Sequence, residues 1–183
     1  MKLKIIKFNC VKSTNDVAIK MIRSKKNYQG IIVANLQKKG RGTMGKKWVS
    51  IKGNFFASIF FELKKNMPDF KKFSTLNPII IKNILNKYSS QSVKIKWPND
   101  LLIGNKKVCG ILQEVIKFEK KFFLIIGVGI NTIHSPKTKE FKGISLLESS
   151  TKKINNPDIL LNLKKNYENI FYNKTFNNRA INK

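Results

Sequence analysis

Apolar positions recur along this chain in two rhythms, a two-residue alternation that marks half-buried strands and a three-to-four-residue spacing that marks helices. Leu3 to Phe8 reads as a first strand, and Val17, Ala18, Met21 and Ile22 then lie on one side of a helix from about Asn15 to Arg23. Ser13 and Asp16 fit a capping box at its start. A second strand runs through Ile31-Ile32-Val33-Ala34 and ends near Gln37, and a third covers Asn54 to Phe61. Asp69 to Tyr88 carries Phe70, Phe73, Leu76, Ile80, Ile81, Ile84 and Leu85 at helical spacing, with a kink or restart expected at Asn77-Pro78. Val93 to Trp97 alternates as a strand and stops at the turn residues Pro98-Asn99-Asp100. Leu101-Leu102-Ile103 and Lys106 to Val115 then form a hairpin about Gly104-Asn105.

Phe122 to Ile126 is a further strand that runs into Gly127-Val128-Gly129-Ile130-Asn131, where the glycines mark either a bulge or a close backbone approach. Asn156-Pro157 begins the last helix, with Asn156 as cap and Pro157 at the first helical position. Its apolar face is Ile159, Leu160, Leu163, Tyr167, Ile170 and Phe171, and beyond Lys174 the chain reads as a frayed tail.

Composition narrows the class. A chain of 183 residues with 42% apolar content is long enough for one domain with a substantial core. No run approaches the roughly 18 consecutive apolar residues that cross a bilayer, and lysines interrupt Met1 to Lys7, so a cytoplasmic protein with no membrane partner is expected. Cys10 and Cys109 lie far apart and His134 is the single histidine, which predicts reduced thiols and no protein-held metal. The net charge of +27 attracts polyanions. Lysine is nevertheless spread through almost every segment, and no helix-turn-helix or zinc-finger spacing accompanies it, so no specific nucleic-acid partner is expected.

Candidate chemistry is concentrated in Gln37 to Trp48. Gly40, Gly42 and Gly45 open backbone angles closed to other residues and let main-chain N–H groups approach a ligand, while Arg41, Lys46 and Lys47 add positive charge. Such a loop suits phosphate or carboxylate. A solvated turn in a basic protein has the same composition, so this loop alone decides nothing.

The ordered set of motifs decides more. Ser13-Thr14-Asn15, Gly40-Arg41-Gly42 with Gly45 and Trp48, Lys96-Trp97-Pro98-Asn99-Asp100-Leu101, Lys107-Val108-Cys109-Gly110-Ile111-Leu112-Gln113-Glu114 and Gly127-Val128-Gly129-Ile130-Asn131 follow one another here. In order and spacing they resemble the catalytic domain of the biotin–protein ligases, and the resemblance covers roughly residues 3 to 175. It implies an α+β fold in which helices pack on one side of a mixed, mainly antiparallel sheet, an architecture related to the class II aminoacyl-tRNA synthetases. It also implies formation of biotinyl-5′-AMP from biotin and magnesium-ATP. The biotinyl group would then pass to a lysine on a biotin carboxyl carrier domain, typically of acetyl-CoA carboxylase. A lipoate–protein ligase or octanoyl transferase of the same fold is the nearest alternative, and a basic nucleic-acid-binding protein that has lost catalysis is a more distant one.

Carried over by position, the resemblance implies that Ser13, Thr14, Asn15 and Gln37 hold the ureido ring of biotin. Gly40, Arg41, Gly42, Thr43 and Lys107 would line the biotin carboxylate and then the adenylate phosphate. Lys107 and Arg41 would be the catalytic cations. Trp48, Asn99, Lys107 and Asn131 would bind ATP, and Asp100 would contact magnesium. For Trp48 and Trp97, burial in the core competes with a role in the site, and Cys109 reads as a small buried hydrophobe.

Two departures from the family pattern stand out. The loop in the family usually reads Gly-Arg-Gly-Arg, whereas this chain has Thr43 at the fourth position, so poorer retention of the adenylate is expected unless Lys46 or Lys47 takes over. The second concerns the ends: residues 1–175 read as a single catalytic domain and 176–183 as tail, with neither the N-terminal DNA-binding domain nor the small C-terminal β-barrel (SH3-like) domain that some members carry.

Overall fold

The computed structural model describes residues 2–136, 142–150 and 152–172, so the expected frayed tail lies outside the described residues. Seven strands form one sheet: β1 (Ile5–Val11), β2 (Gly30–Gln37), β3 (Phe55–Glu62), β4 (Val93–Lys96), β5 (Asp100–Ile103), β6 (Lys106–Phe118) and β7 (Lys121–Ile130). Their order is β1-β2-β3-β7-β6-β5-β4. β1 and β2 pair in parallel and every other pair is antiparallel, which is the mixed, mainly antiparallel sheet that the family resemblance implies. The helices are α1 (Thr14–Arg23), α2 (Phe70–Leu85) and α3 (Asn156–Tyr172). Among the described residues, no helix is long and apolar enough to cross a membrane.

The larger core lies where α2 and α3 cover one face of the sheet. Alternate β3 residues Phe55, Ala57, Ile59 and Phe61 point into it and meet Phe73, Ile81, Leu163 and Tyr167 from the helices. The intervening residues face the other way, so that Ile32, Phe60, Phe123 and Ile125 pack against Ala18 and Ile22 of α1. The one-sided arrangement therefore holds for α2 and α3, while α1 covers the opposite face. A strand buried on both sides loses the polar alternation that would have revealed this, and β3 is buried at every position from Phe55 to Phe61.

Other local expectations are corrected by tertiary partners. No capping box forms, because the Ser13 side chain makes no cap hydrogen bond and Asp16 instead pairs with Arg41 at 2.9 Å. Helix α2 continues through Pro78 with no second start. Asn77 secures it there, donating to Gln113 Oε1 and accepting from the Tyr167 hydroxyl, each at 2.8 Å. Asp69 caps its first turn by accepting from Lys72 N at 2.8 Å. Trp97, for which core burial was a competing reading, is 54% exposed. Asn156 lies inside α3, one residue later than a cap, and donates to Gly53 O at 3.0 Å.

Candidate active site

The face that carries α1 is left open beyond the end of that helix, and a cavity of about 300 Å³ opens there over the middle of the sheet. Three glycines form part of its floor. Gly110 on β6 pairs directly with Gly129 on β7, so two positions without side chains lie next to each other. The Trp48 indole rests on them, and a Cβ added at Gly129 or Gly110 would come within 2.4 or 2.6 Å of the ring. Two residues along β7, a Cβ at Gly127 would come within 2.5 Å of Asn15 Oδ1. The strand register continues without interruption through both glycines of β7. They mark close approach, and the bulge reading is set aside.

The glycine loop reaches the cavity as a small hairpin of its own. Trp48 N donates to Gly40 O at 3.0 Å, Gly42 N donates to Lys46 O at 2.7 Å, and Arg41 bridges Lys47. Gly45 has φ +73°, which an L side chain adopts only with strain. The hairpin turns Arg41, Gly42, Thr43, Lys46, Lys47 and Trp48 towards the cavity.

At one end of the cavity stand Ser13, Thr14, Asn15 and Gln37, neutral groups able to donate and accept. Thr14 N and Oγ1 lie 2.8 and 3.0 Å from Gln37 Oε1. The buried Ser58 hydroxyl lies 2.7 Å from Thr14 Oγ1 and also contacts Asn15 Oδ1. The other end is basic, with Lys46, Lys47, Lys96 and Lys107 around it.

Lys107 reaches this face through a β-bulge. In the β5–β6 ladder Leu101 pairs with Cys109 but Leu102 pairs with Lys107, which leaves Val108 as an extra residue. Had the strand alternated regularly through Val108, Lys107 would share the parity of Cys109 and Ile111, which point into the large core. A bulge re-aims the side chains beyond it, and here it turns Lys107 to the cavity. The ammonium lies 2.7 Å from Asp100 Oδ1, with side-chain exposures of 17% and 21%, and 5.5 Å from the Trp48 ring centroid. Cys109 is fully buried, and desolvation pushes its thiol well up, only partly opposed by the charge of Lys107.

Arg41 is engaged by carboxylates. Its Nη1 and Nη2 donate to the two oxygens of Glu114 at 2.7 Å each, in addition to the contact with Asp16. The hydrogen bond to Glu114 is the main reason that its pKa is raised, against the opposing effect of desolvation. The buried Nε is without a hydrogen-bond partner among the described residues.

Two residues singled out from the sequence lie off the cavity wall. Gly40 sits behind it, where a Cβ would come within 2.6 Å of Trp48 O. Asn131 is fully buried and donates to Lys107 O at 3.2 Å, supporting the backbone of that lysine. The remaining candidates, Asn99 and Asp100 included, line one cavity. Sequence reasoning did not single out Lys96 or Glu114 as site residues. Lys96 pairs across the strands with Asp100, and strand alternation within the Lys96-to-Leu101 motif was the available signal for it. Among the described residues, no group of three or more His, Cys, Asp or Glu is placed to hold a metal ion.

Residues 7–131 match the model of the biotin/lipoate A/B protein ligase family. The chain belongs to that family. It is 34% identical over 123 residues to the bifunctional ligase/repressor BirA of Escherichia coli (strain K12), a match covering 66% of this chain and 38% of BirA. It is 28% identical over 127 residues to a biotin–[acetyl-CoA-carboxylase] ligase of Paracoccus denitrificans, covering 68% of this chain and 52% of that one. The chain thus spans about half or less of the length of these curated relatives. The structure of a biotin protein ligase from Aquifex aeolicus in complex with biotin and ATP superposes with a TM-score of 0.75 at 27% identity, covering 92% of this chain and 70% of that chain.

Proposed function

We propose that this member of the biotin/lipoate ligase family is an ATP-dependent biotin–protein ligase. The observation that carries this reading is the neutral polar end of the cavity, where Ser13, Thr14 and Asn15 are each at most 3% exposed and meet Gln37. A ureido ring offers two N–H donors and a carbonyl to such a cluster, whereas the apolar head of a lipoyl or octanoyl group offers it no hydrogen-bonding partner. The same argument sets the lipoate reading second.

In the first step a carboxylate oxygen of biotin attacks the α-phosphorus of ATP, the bond to the bridging oxygen breaks, and pyrophosphate leaves with that electron pair. Two anions meet and charge builds on the phosphoryl oxygens, so fixed cations at that point lower the barrier. Lys107 is the main catalytic cation, held in aim by Asp100 and the indole. Lys46, Lys47 and Lys96 surround the phosphates, and Arg41 anchors the glycine hairpin. Trp48, seated on Gly110 and Gly129, stacks on the adenine. Asn99 orients the nucleotide, and Asn131 acts from behind through the Lys107 backbone. Magnesium arrives with ATP, and a site with the single carboxylate of Asp100 suits an ion that binds through one or two carboxylates plus substrate phosphates. In the second step a carrier lysine amine attacks the biotinyl carbonyl carbon, AMP leaves, and the amine proton passes to solvent. The acceptor is a biotin carboxyl carrier domain of acetyl-CoA carboxylase, whose approach the positive surface favours.

The test is mass spectrometry of carrier domain, lipoate-acceptor domain and a bystander protein after incubation with this protein, ATP, magnesium and either biotin or lipoate. Biotin on one carrier lysine supports the reading. A carrier that gains nothing while a lipoate-acceptor domain is modified by lipoate overturns it.

Thr43 lines the cavity and accepts a 3.4 Å contact from Asn99 Nδ2, so it supplies a hydroxyl where the family usually has a second arginine. A charge-assisted hydrogen bond of about 1.5–3 kcal/mol is missing, which corresponds to roughly ten- to a hundredfold faster loss of adenylate. Thr43→Arg is expected to reduce stray labelling of the bystander by that factor while carrier labelling persists. Unchanged bystander labelling would mean that Lys46 or Lys47 already does the work of the second arginine.

A further inference from the structure

Glu114 stands between the two ends of the cavity and is used by both. Its Oε1 accepts from Arg41 Nη1, and its Oε2 accepts from Arg41 Nη2 and from Asn15 Nδ2, all at 2.7 Å. It projects from β6 opposite Ile125 of β7, beyond the part of β6 that pairs with β5, and its side chain is 24% exposed. An ionised carboxylate only accepts. With the longer contact from the same Nδ2 to Leu112 O at 3.4 Å, it sets which way the Asn15 amide is turned: Nδ2 faces Glu114, and Oδ1 faces the Ser58 hydroxyl.

That orientation sets the polarity of the whole neutral end. Thr14 N and the Thr14 hydroxyl both donate to Gln37 Oε1, and the Ser58 hydroxyl is within donating reach of Thr14 Oγ1 and Asn15 Oδ1. If Asn15 were flipped, its Nδ2 would face Ser58 Oγ as a donor and leave the Ser58 proton to Thr14 Oγ1 alone, and an amide oxygen would face the Glu114 carboxylate. On the other side, the two-pronged bond to Arg41 holds the glycine hairpin against β6.

We propose that Glu114 is a positioning residue that fixes the Asn15 amide and, through Arg41, the glycine hairpin, so that one carboxylate orients both the ureido end and the phosphate end. The inference rests on the biotin–ligase reading. Glu114 touches neither substrate in this scheme and acts through Asn15 and Arg41.

The test is calorimetric biotin binding together with the rate at which trapped adenylate escapes. Glu114→Gln keeps one acceptor oxygen and sets an amide donor against at least one of the groups that donate to the carboxylate. Biotin affinity should fall about tenfold, and adenylate escape should quicken and the KM for ATP rise by similar factors, because the hairpin carries Lys46, Lys47 and Trp48. In an Asn15→Ala background the same Glu114 substitution should have little further effect on biotin affinity, because residues acting through one contact are not additive. A loss that persists undiminished in that background overturns the inference, as does a Glu114→Gln protein that binds biotin like wild type.

Asn15→Asp examines the same contact without altering Glu114. It sets two carboxylates against each other beside Arg41, which Asp16 also faces, and one of the pair must share a proton. Biotin affinity of this variant should rise as pH falls from about 8 to 5 while that of wild type stays flat, and parallel profiles refute the proposal. A wild-type protein that binds no biotin at all removes the ligase reading and this inference together, an outcome separate from those seen only in the variants.

Discussion

Lys107→Gln is expected to stop adenylate formation while leaving biotin binding and the thermal midpoint close to wild type. The substitution keeps a polar group of similar length able to donate to Asp100, so the partner carboxylate is not left without a donor. What it removes is a fixed positive charge at the point where negative charge develops. Losing one such stabilising group costs about 10²–10³-fold in rate. Lys107→Arg should recover little, because a planar fork cannot occupy the place of a compact ammonium held between a carboxylate at 2.7 Å and an indole at 5.5 Å. The measurement is pyrophosphate release in a single turnover, with isotope-labelled biotin retained on the protein as the binding control. Turnover of the Lys107→Gln protein within tenfold of wild type would remove Lys107 from the centre of the mechanism.

The second large effect comes from two glycines on one strand. Gly129→Ala puts a methyl group against the Trp48 indole, and Gly127→Ala puts one against the Asn15 side chain, both far inside ordinary contact distance. Overpacking of this kind costs about 1–3 kcal/mol, or roughly five- to a hundredfold in affinity. The two losses should fall on different ligands. Gly129→Ala is expected to weaken binding of a non-hydrolysable ATP analogue and to leave biotin affinity within twofold, and Gly127→Ala is expected to do the reverse. Calorimetry with each ligand separates them. If both variants lose both ligands to the same extent, the division of the cavity into a ureido end and an adenine end is wrong.

This pair also shows how the site becomes legible. In the sequence, Gly127 and Gly129 raise either a bulge or a close approach, and nothing in a strand pattern chooses between them. The choice depends on what lies above the strand, and Asn15 and Trp48 come from segments 112 and 81 positions away. Arg41 shows the same limit in another form. Its residue type and loop announce an anion site, yet in the folded chain its fork is matched by Glu114, 73 positions on, and by Asp16. Charge type can be read locally, whereas the partner of a charge is settled by which strands lie side by side.

By itself the sequence determined the element types, the order of the strands and helices along the chain, most residues of the large core and the family motifs. These are carried by short-range periodicity, turn chemistry and residue identity, which act between neighbours in the chain. Tertiary structure alone decided that α1 lies on the face opposite α2 and α3, because strands buried on both sides show no alternation from which a face could be assigned. It decided that Lys107 enters the cavity, because the extra residue Val108 exists only in the register between β5 and β6. It also decided that Glu114 joins the two ends of the site, since a carboxylate is assigned its donors by long-range packing and not by its neighbours in the chain.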